Sequence, residues 1–446
     1  MSAMNDTLAA PQPAVGAMLR GRPMSRYQRI VIGICIAINV LDGFDALASA
    51  FTAPAVAAQW QLPAALLGML LSASVAGMAL GSVLIAPLGD KLGRRPIVLG
   101  CLAMIGTAML ASAFAANVWQ LAGLRLVTGL GVGGIIAGIN TLVAEYASDR
   151  RRDLALSMTT VGYAVGAICG GAASGLLVGS YGWRSVFLVG GLLSVLMVPV
   201  AFAWLPESLD FLAGKQPGNA LARLNQVLHK AGVAPLQTLP PQGEQARQGS
   251  AWRSLFHPDF RRLTLLACAC YLLVMLTNYF LLSWMPKLLV DMGMSMEQGI
   301  SGAVIMNLSG VAGGIALGWS AGRYGLRAMS VIYLCLCFLS VAWFGSLSAA
   351  PGHVLAVSAV IGFLITGAVA SLNALSPRVF PPAVRATGTG LALGFGRLGG
   401  TAGPWLAGVL IQAGWSRTQF SIVLATPLLA AAVLFTLALA KERSTA

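Results

Sequence analysis

Charge is scarce in this chain. Only 9% of its 446 residues are charged, while 57% are hydrophobic, and the mean hydropathy is +0.80. Soluble globular domains carry about 25% charged residues, so a water-soluble fold is excluded. Histidine is rarer still. His229, His257 and His353 lie far apart and supply no metal site. The cysteines at 35, 101, 169, 268, 270, 335 and 337 all fall in apolar stretches. Cys268 and Cys270, like Cys335 and Cys337, are two apart and face different sides of a helix, so neither pair clips a metal. They read as small apolar core residues. No Ser/His/Asp set falls at apolar depth, so an enzyme is not expected, and no cofactor is called for. No cleavable signal is recognisable either. The residues before Ile30 are polar and carry Arg20, Arg22, Arg26 and Arg29, as a cytoplasmic tail would.

What the chain has instead is a succession of apolar runs. A membrane-crossing helix needs about 20 such residues, and twelve runs qualify by eye. The expected fold is therefore an all-α integral membrane protein with twelve transmembrane helices in two six-helix halves. The halves are expected at 28–206 and 261–440. A tail at 1–27, a cytoplasmic linker at 207–260 and a tail at 441–446 complete the chain. Within the linker, Leu221, Leu224, Val227 and Leu228 predict a short amphipathic helix, and the Pro/Gln/Gly-rich stretch from Ala231 to Ser250 predicts a flexible connector.

The net charge of +14 would suggest nucleic acid in a soluble protein. Here topology explains it without any nucleic acid. With both termini in the cytoplasm, inside segments hold 23 of the 28 Lys and Arg. That is the positive-inside asymmetry. Oligomeric state is not readable, and a monomer is the default expectation.

Four ionisable residues stand at membrane depth: Asp42 and Asp45 in span one, Arg125 in span four and Arg397 in span eleven. Left unpaired, they would cost on the order of 10 kcal/mol on insertion scales. They must share an interior, where they pair or meet a wet cavity. Asp42 and Asp45 are three apart and share one helix face, and Gly43 between them admits a close neighbour. Arginine keeps its charge and offers a planar fork to a carboxylate. An aspartate can gain and lose a proton as its surroundings change. Two such acids and two such arginines suit a proton-coupled anion carrier. The alternative is two buried salt bridges that only hold helices together. Arg397 is the favoured ligand for a substrate carboxylate, with Arg125 the other candidate. Tyr279, Asn278, Asn307, Asn373 and Tyr163 are candidates for the remaining contacts, although a helix–helix hydrogen bond suits any one of them equally. Gly162, Gly166 and Gly170, with Gly396, Gly400 and Gly408, predict close helix packing.

A local repeat points to internal duplication. Ala86-Pro-Leu-Gly-Asp90-Lys-Leu-Gly93-Arg94-Arg95 follows span two, and Gly318-Trp-Ser-Ala-Gly322-Arg-Tyr-Gly325-Leu-Arg327 follows span eight. The first copy resembles the loop signature of the major facilitator superfamily. Arg125-Leu-Val-Thr-Gly129-Leu-Gly131-Val-Gly133-Gly134 resembles that superfamily's span-four motif. A finer resemblance is to the aromatic acid:proton symporters. It rests on Asp42-Gly-Phe-Asp45, Glu145-Tyr146, Leu205-Pro-Glu-Ser208 and Tyr279-Phe-Leu-Leu-Ser-Trp284-Met-Pro286. It also rests on Arg385-Ala-Thr-Gly388, Gly396-Arg397-Leu-Gly399 and Gly403-Pro404. Two departures stand out: Ala86 replaces the signature's usual Gly, and Gly322 replaces the acid of the second copy.

The resemblance implies a multi-pass carrier of the bacterial inner membrane that imports a small aromatic acid with protons. It implies that Asp42 and Asp45 couple protons. Asp90, Gly93, Arg94, Arg95, Glu145 and Arg385 would form a breakable cytoplasmic latch, with Asp90 near the positive end of a neighbouring helix. Three other readings remain open. A drug or organic-anion:proton antiporter usually has a Gly-Pro motif in span five, and Gly166-Ala-Ile-Cys-Gly170-Gly lacks the proline. A sugar porter would show a basic residue after Pro206-Glu207-Ser208, where Leu209-Asp210 stands. A membrane-bound aromatic-acid sensor would be expected to carry an appended soluble domain.

Overall fold

The computed structural model describes residues 15–239, 255–347, 351–380 and 384–439. The tail before residue 15, the connector from residue 240 and the tail after residue 439 lie outside the described residues. Helices account for nearly all of the rest. In the N-terminal half these are α1 (Val15–Arg20), α2 (Arg26–Trp60), α3 (Ala64–Leu84), α4 (Leu88–Leu92), α5 (Arg94–Ser112), α6 (Val118–Tyr146), α7 (Arg152–Tyr181) and α8 (Arg184–Trp204). The linker contributes α9 (Leu209–Lys215) and α10 (Ala220–Ala231). The C-terminal half contains α11 (Pro258–Asp291), α12 (Met296–Tyr324), α13 (Leu326–Ser346), α14 (Pro351–Val379), α15 (Arg385–Gln412) and α16 (Arg417–Ala438).

Eleven of these helices are long and apolar enough to cross a membrane. The twelfth expected span, α15, has the length at 28 residues but falls short in apolarity. Its glycines and two arginines dilute the signal. It nevertheless packs as a full member of the bundle, between α3 and α11. The expected amphipathic linker helix is α10, which buries Leu224, Val227 and Leu228. The short helices α1, α4 and α9 are additional to the expected set.

The two halves repeat one packing scheme. In the first half α2 packs on α7, α3 on α6 and α5 on α8. In the second half α11 packs on α15, α12 on α14 and α13 on α16. Glycine makes the equivalent contacts close. A methyl on Gly166 would lie 1.9 Å from the Val40 carbonyl oxygen, and one on Gly399 would lie 2.0 Å from that of Leu272. In lipid, where apolar burial gives no net drive, such backbone contact is what holds helices together. The loop repeat is also structural. Gly93 (φ 104°, ψ 154°) joins α4 to α5, and Gly325 (φ 88°, ψ 139°) joins α12 to α13. Both occupy the left-handed region that L side chains avoid.

The halves meet unevenly. One apolar cluster runs from the C-terminal half into the far ends of α2, α3, α6 and α7, remote from the termini. The other cluster belongs only to the N-terminal half and the linker, at the face carrying the basic loops. At the far face, the Gln412 side chain accepts from the Ala65 amide at 3.1 Å, and Gly408 sits against the Ala64 carbonyl. The halves are thus sealed together at the far face, and their cores part at the basic face.

Close packing at Gly166 predicts a large effect from a small change. Gly166→Val should lower the thermal midpoint of purified protein, since overpacking costs about 1–3 kcal/mol. Gly123→Ala, where a methyl meets nothing within 4 Å, should leave the midpoint unchanged.

Candidate functional site

The four membrane-depth charges do not form two salt bridges. Asp45 and Arg125 pair directly, Arg125 Nη1 donating to Asp45 Oδ1 at 2.8 Å, and both side chains are fully buried. Arg125 Nη2 donates to Thr128 Oγ1 at 2.7 Å, and its guanidinium lies 5.0 Å from the Phe187 ring centroid. This pair spans α2 and α6 within one half. Thr128 adds a hydrogen bond to the arginine, while Asp45 Oδ2 and Arg125 Nε have no further partner among the described residues.

Asp42 lies one turn nearer the basic face and is 1% exposed. Neither of its carboxyl oxygens has a hydrogen-bond partner among the described residues. Its nearest charge is Asp45, which is already committed to Arg125. The two aspartates therefore differ in kind: one is neutralised by a cation and the other is not. Residue spacing alone gave them the same role.

Arg397 is the opposite of Arg125. It is only half-buried and reaches from α15 across to the other half, where its Nη1 donates to the Met78 carbonyl of α3. Tyr279 and Tyr163 both lie within electrostatic range of it. Tyr163 is also within range of Asp42 and Asp45. Tyr163 sits on α7 and Tyr279 on α11, so the set draws on both halves. All three side chains remain partly accessible despite lying mid-helix. The Tyr279 ring packs over Gly400, where a methyl would come within 2.5 Å.

The asparagines divide. Asn278 is half-buried beside Tyr279 and meets the Met275 sulfur at 4.0 Å. Asn307 donates to the Ala303 carbonyl of its own helix at 2.9 Å. Asn373 accepts from the Tyr271 hydroxyl at 3.3 Å, a contact between α11 and α14. The helix–helix alternative applies to Asn373.

At the basic face the geometry differs from the expected latch. Asp90 pairs with Arg94, four residues on, in its own loop. The positive end of α5 is met by Glu207 instead. Its Oε1 accepts from the amides of Arg94 at 2.6 Å, Arg95 at 3.0 Å and Ser208 at 2.9 Å. Gly93 must lack a side chain, since a methyl there would lie 2.5 Å from Glu207 Oε2. Glu145 likewise accepts from Ser208 Oγ at 2.8 Å and the Leu209 amide at 2.7 Å, which holds the start of α9. The Tyr146 hydroxyl donates to the Glu207 carbonyl at 2.8 Å. Arg95 Nη2 donates to the Phe202 carbonyl at 2.6 Å, and Arg385 caps the end of α14 through the carbonyls of Phe380 and Pro377. In the sequence Glu207 stands out only as part of the Leu205-Pro-Glu-Ser208 motif. The signal for its role was its place between Pro206 and Ser208, just beyond a long apolar helix.

Two six-helix halves with matched packing, and charges at membrane depth between them, define a secondary transporter and not an enzyme. The chain belongs to the Major Facilitator Superfamily, whose family model matches residues 34–404. It is a multi-pass membrane protein. It is 33% identical to a 4-hydroxybenzoate transporter of Pseudomonas aeruginosa, over 94% of this chain and 95% of that one. It is also 33% identical to a gallate transporter of Pseudomonas putida, with 92% of each chain covered. A 3-(3-hydroxy-phenyl)propionate transporter of Escherichia coli is 30% identical, over 88% of this chain and 90% of that one. Among solved structures, a D-xylose-proton symporter has the same fold, with a TM-score of 0.72 at 15% identity. The match covers 92% of this chain and 97% of that one.

The buried pair generates a prediction. Arg125→Gln should destabilise the protein by about 3–5 kcal/mol, because it strands Asp45. The double variant Arg125→Gln/Asp45→Asn should recover much of that loss. Thermal midpoints of the three purified proteins check it.

Proposed function

We propose that this protein imports a small aromatic carboxylate together with protons across the bacterial inner membrane, by alternating access and as a monomer, with both termini in the cytoplasm. The observation that carries the reading is the position of Arg397: a half-accessible guanidinium between the halves, flanked by Tyr163 and Tyr279. Its present acceptor is a neutral backbone carbonyl. A carboxylate is the stronger acceptor, since charge-assisted hydrogen bonds are roughly twice as strong as neutral ones. The tyrosine rings supply flat walls for an aromatic ring, and Asn278 and Asn307 are candidates for further polar contacts. The named substrates of the relatives, 4-hydroxybenzoate and gallate, are aromatic acids of this size.

Proton coupling is assigned to Asp42. Asp45 is already paired with Arg125. Asp42 has no such partner, so an ionised Asp42 in the closed site would be costly. It takes a proton when the site closes and releases it when water returns. Because Tyr163 lies within range of both aspartates and of Arg397, the protonated acid and the bound anion would favour the same closed state. That is the requirement for symport.

Uptake of radiolabelled 4-hydroxybenzoate, gallate and benzoate into proteoliposomes, with and without a protonophore, tests the reading. Accumulation of at least one acid that collapses with the protonophore is expected. A carrier that exchanges none of them in counterflow would be a sensor or would carry another class of substrate. Asp42→Asn should abolish accumulation while leaving counterflow in place. Accumulation by Asp42→Asn at the wild-type level would remove that residue from coupling.

Arg397→Lys keeps the charge but loses the fork. It should weaken substrate binding by roughly one to two decades, the equivalent of about 1.5–3 kcal/mol for a charged hydrogen bond. Arg125→Lys should leave affinity within a few-fold. Calorimetric titration of both purified variants decides between them, and the reverse order would move the carboxylate to Arg125.

A further inference from the structure

A cavity of about 760 Å³ lies on the outside of the N-terminal half at its basic face, between α5, α8 and the linker helices. It is remote from the transport site. Four cations line it: Lys91 and Arg95 from the loop before and the start of α5, and Arg223 and Lys230 from α10. Arg223, Gln226, Val227 and Lys230 recur at the spacing of one helix face, and that whole face of α10 is turned to the cavity. Glu207 is the one carboxylate among the described lining residues, and its Oε1 is engaged by three backbone amides. The cavity is therefore strongly positive. Arg95 Nε is buried there without a hydrogen-bond partner among the described residues.

The other wall is apolar and aromatic. Leu99, Phe202 and Trp204 line it from α5 and α8, and Phe202 and Trp204 are 64% and 48% exposed. The cations sit at the edge of this wall. The Arg95 guanidinium lies 5.2 Å from the Phe202 ring centroid, and Lys230 Nζ lies 5.7 Å from that of Tyr27. Cations on one side and a membrane-facing aromatic wall on the other match a single amphiphile with an anionic head and apolar chains.

We propose that this cavity binds the headgroup of an anionic phospholipid, with its acyl chain along Leu99, Phe202 and Trp204. Basic pockets at the cytoplasmic ends of spans commonly take such headgroups. The occupant would tie α10 to α5 and α8. It would thereby link the lipid surface to Gly93 and Glu207, which hold the start of α5. The linker then becomes a lipid-dependent brace on the N-terminal half, beyond its role as a connector. The proposal does not depend on which substrate is carried.

Detergent-solubilised full-length protein titrated with phosphatidylglycerol bearing brominated chains tests this. Contact quenching is read as the difference between the wild type and Trp204→Phe. Saturable quenching is expected with phosphatidylglycerol and not with phosphatidylcholine. In Arg223→Gln/Lys230→Gln the half-saturation point should rise roughly ten- to thirtyfold, as expected for two neutralised headgroup contacts. In Arg150→Gln/Arg151→Gln, which removes equal charge elsewhere on the same face, it should not move. Equal weakening in both variants would show general surface attraction and overturn the site. Displacement of the lipid by glycerol phosphate or benzoate at comparable concentration would assign the cavity to a soluble anion and overturn it as well.

Discussion

The structure depends on the cost of placing a charge where there is no water. Asp45 and Arg125 reduce that cost by pairing, with no exposure of either side chain, while Asp45 Oδ2 and Arg125 Nε keep no hydrogen-bond partner among the described residues. Their pairing fixes α2 against α6 and leaves the other two intramembrane charges differently placed. Asp42 is buried beside the pair without a cation of its own, and Arg397 stands across the interface with only a backbone carbonyl for a partner. A buried ion pair is poor at changing state, because breaking it strands a charge. Asp42 and Arg397 differ from it in having no ion-pair partner among the described residues, and that difference is what the proposed roles rest on.

Glycine makes the halves rigid enough for this to matter. Backbone-to-backbone contacts at Gly166, Gly399 and their neighbours fix α2 to α7 and α11 to α15. Contact between the halves then falls to a shared apolar cluster at the far face, while the basic-face cluster belongs to the N-terminal half and the linker. Tyr163, Tyr279 and Arg397 sit at mid-helix and remain partly accessible.

The basic face works by helix ends more than by ion pairs. Glu207 meets the first amides of α5, and Glu145 holds the start of α9. An acid at a helix N-terminus interacts with both the dipole and the free amides. The expectation had placed Asp90 in that role. Asp90 sits in the first turn of the five-residue α4, where its side chain meets Arg94 on the next turn instead. Gly93 is the hinge of this arrangement, because its backbone angle and the proximity of Glu207 both exclude a side chain.

The sequence by itself determined the class and the inventory. Apolar run lengths set the number of spans, the Lys and Arg asymmetry set the expected orientation, and the loop repeat around Gly93 and Gly325 set the two-fold plan. These are local properties, since a span must be apolar over its own length whatever its neighbours do. Even α15 was legible as one of the twelve runs, although its glycines serve packing and lower its apolarity. What the tertiary structure alone decided was pairing. Asp42 and Asp45 look alike in sequence, as do Arg125 and Arg397, since each stands at membrane depth in an apolar helix. Which acid meets which arginine depends on how α2, α6 and α15 are rotated and how far apart they stand. Those angles are set by side-chain volumes and glycine contacts summed over the whole bundle, and no single segment contains them.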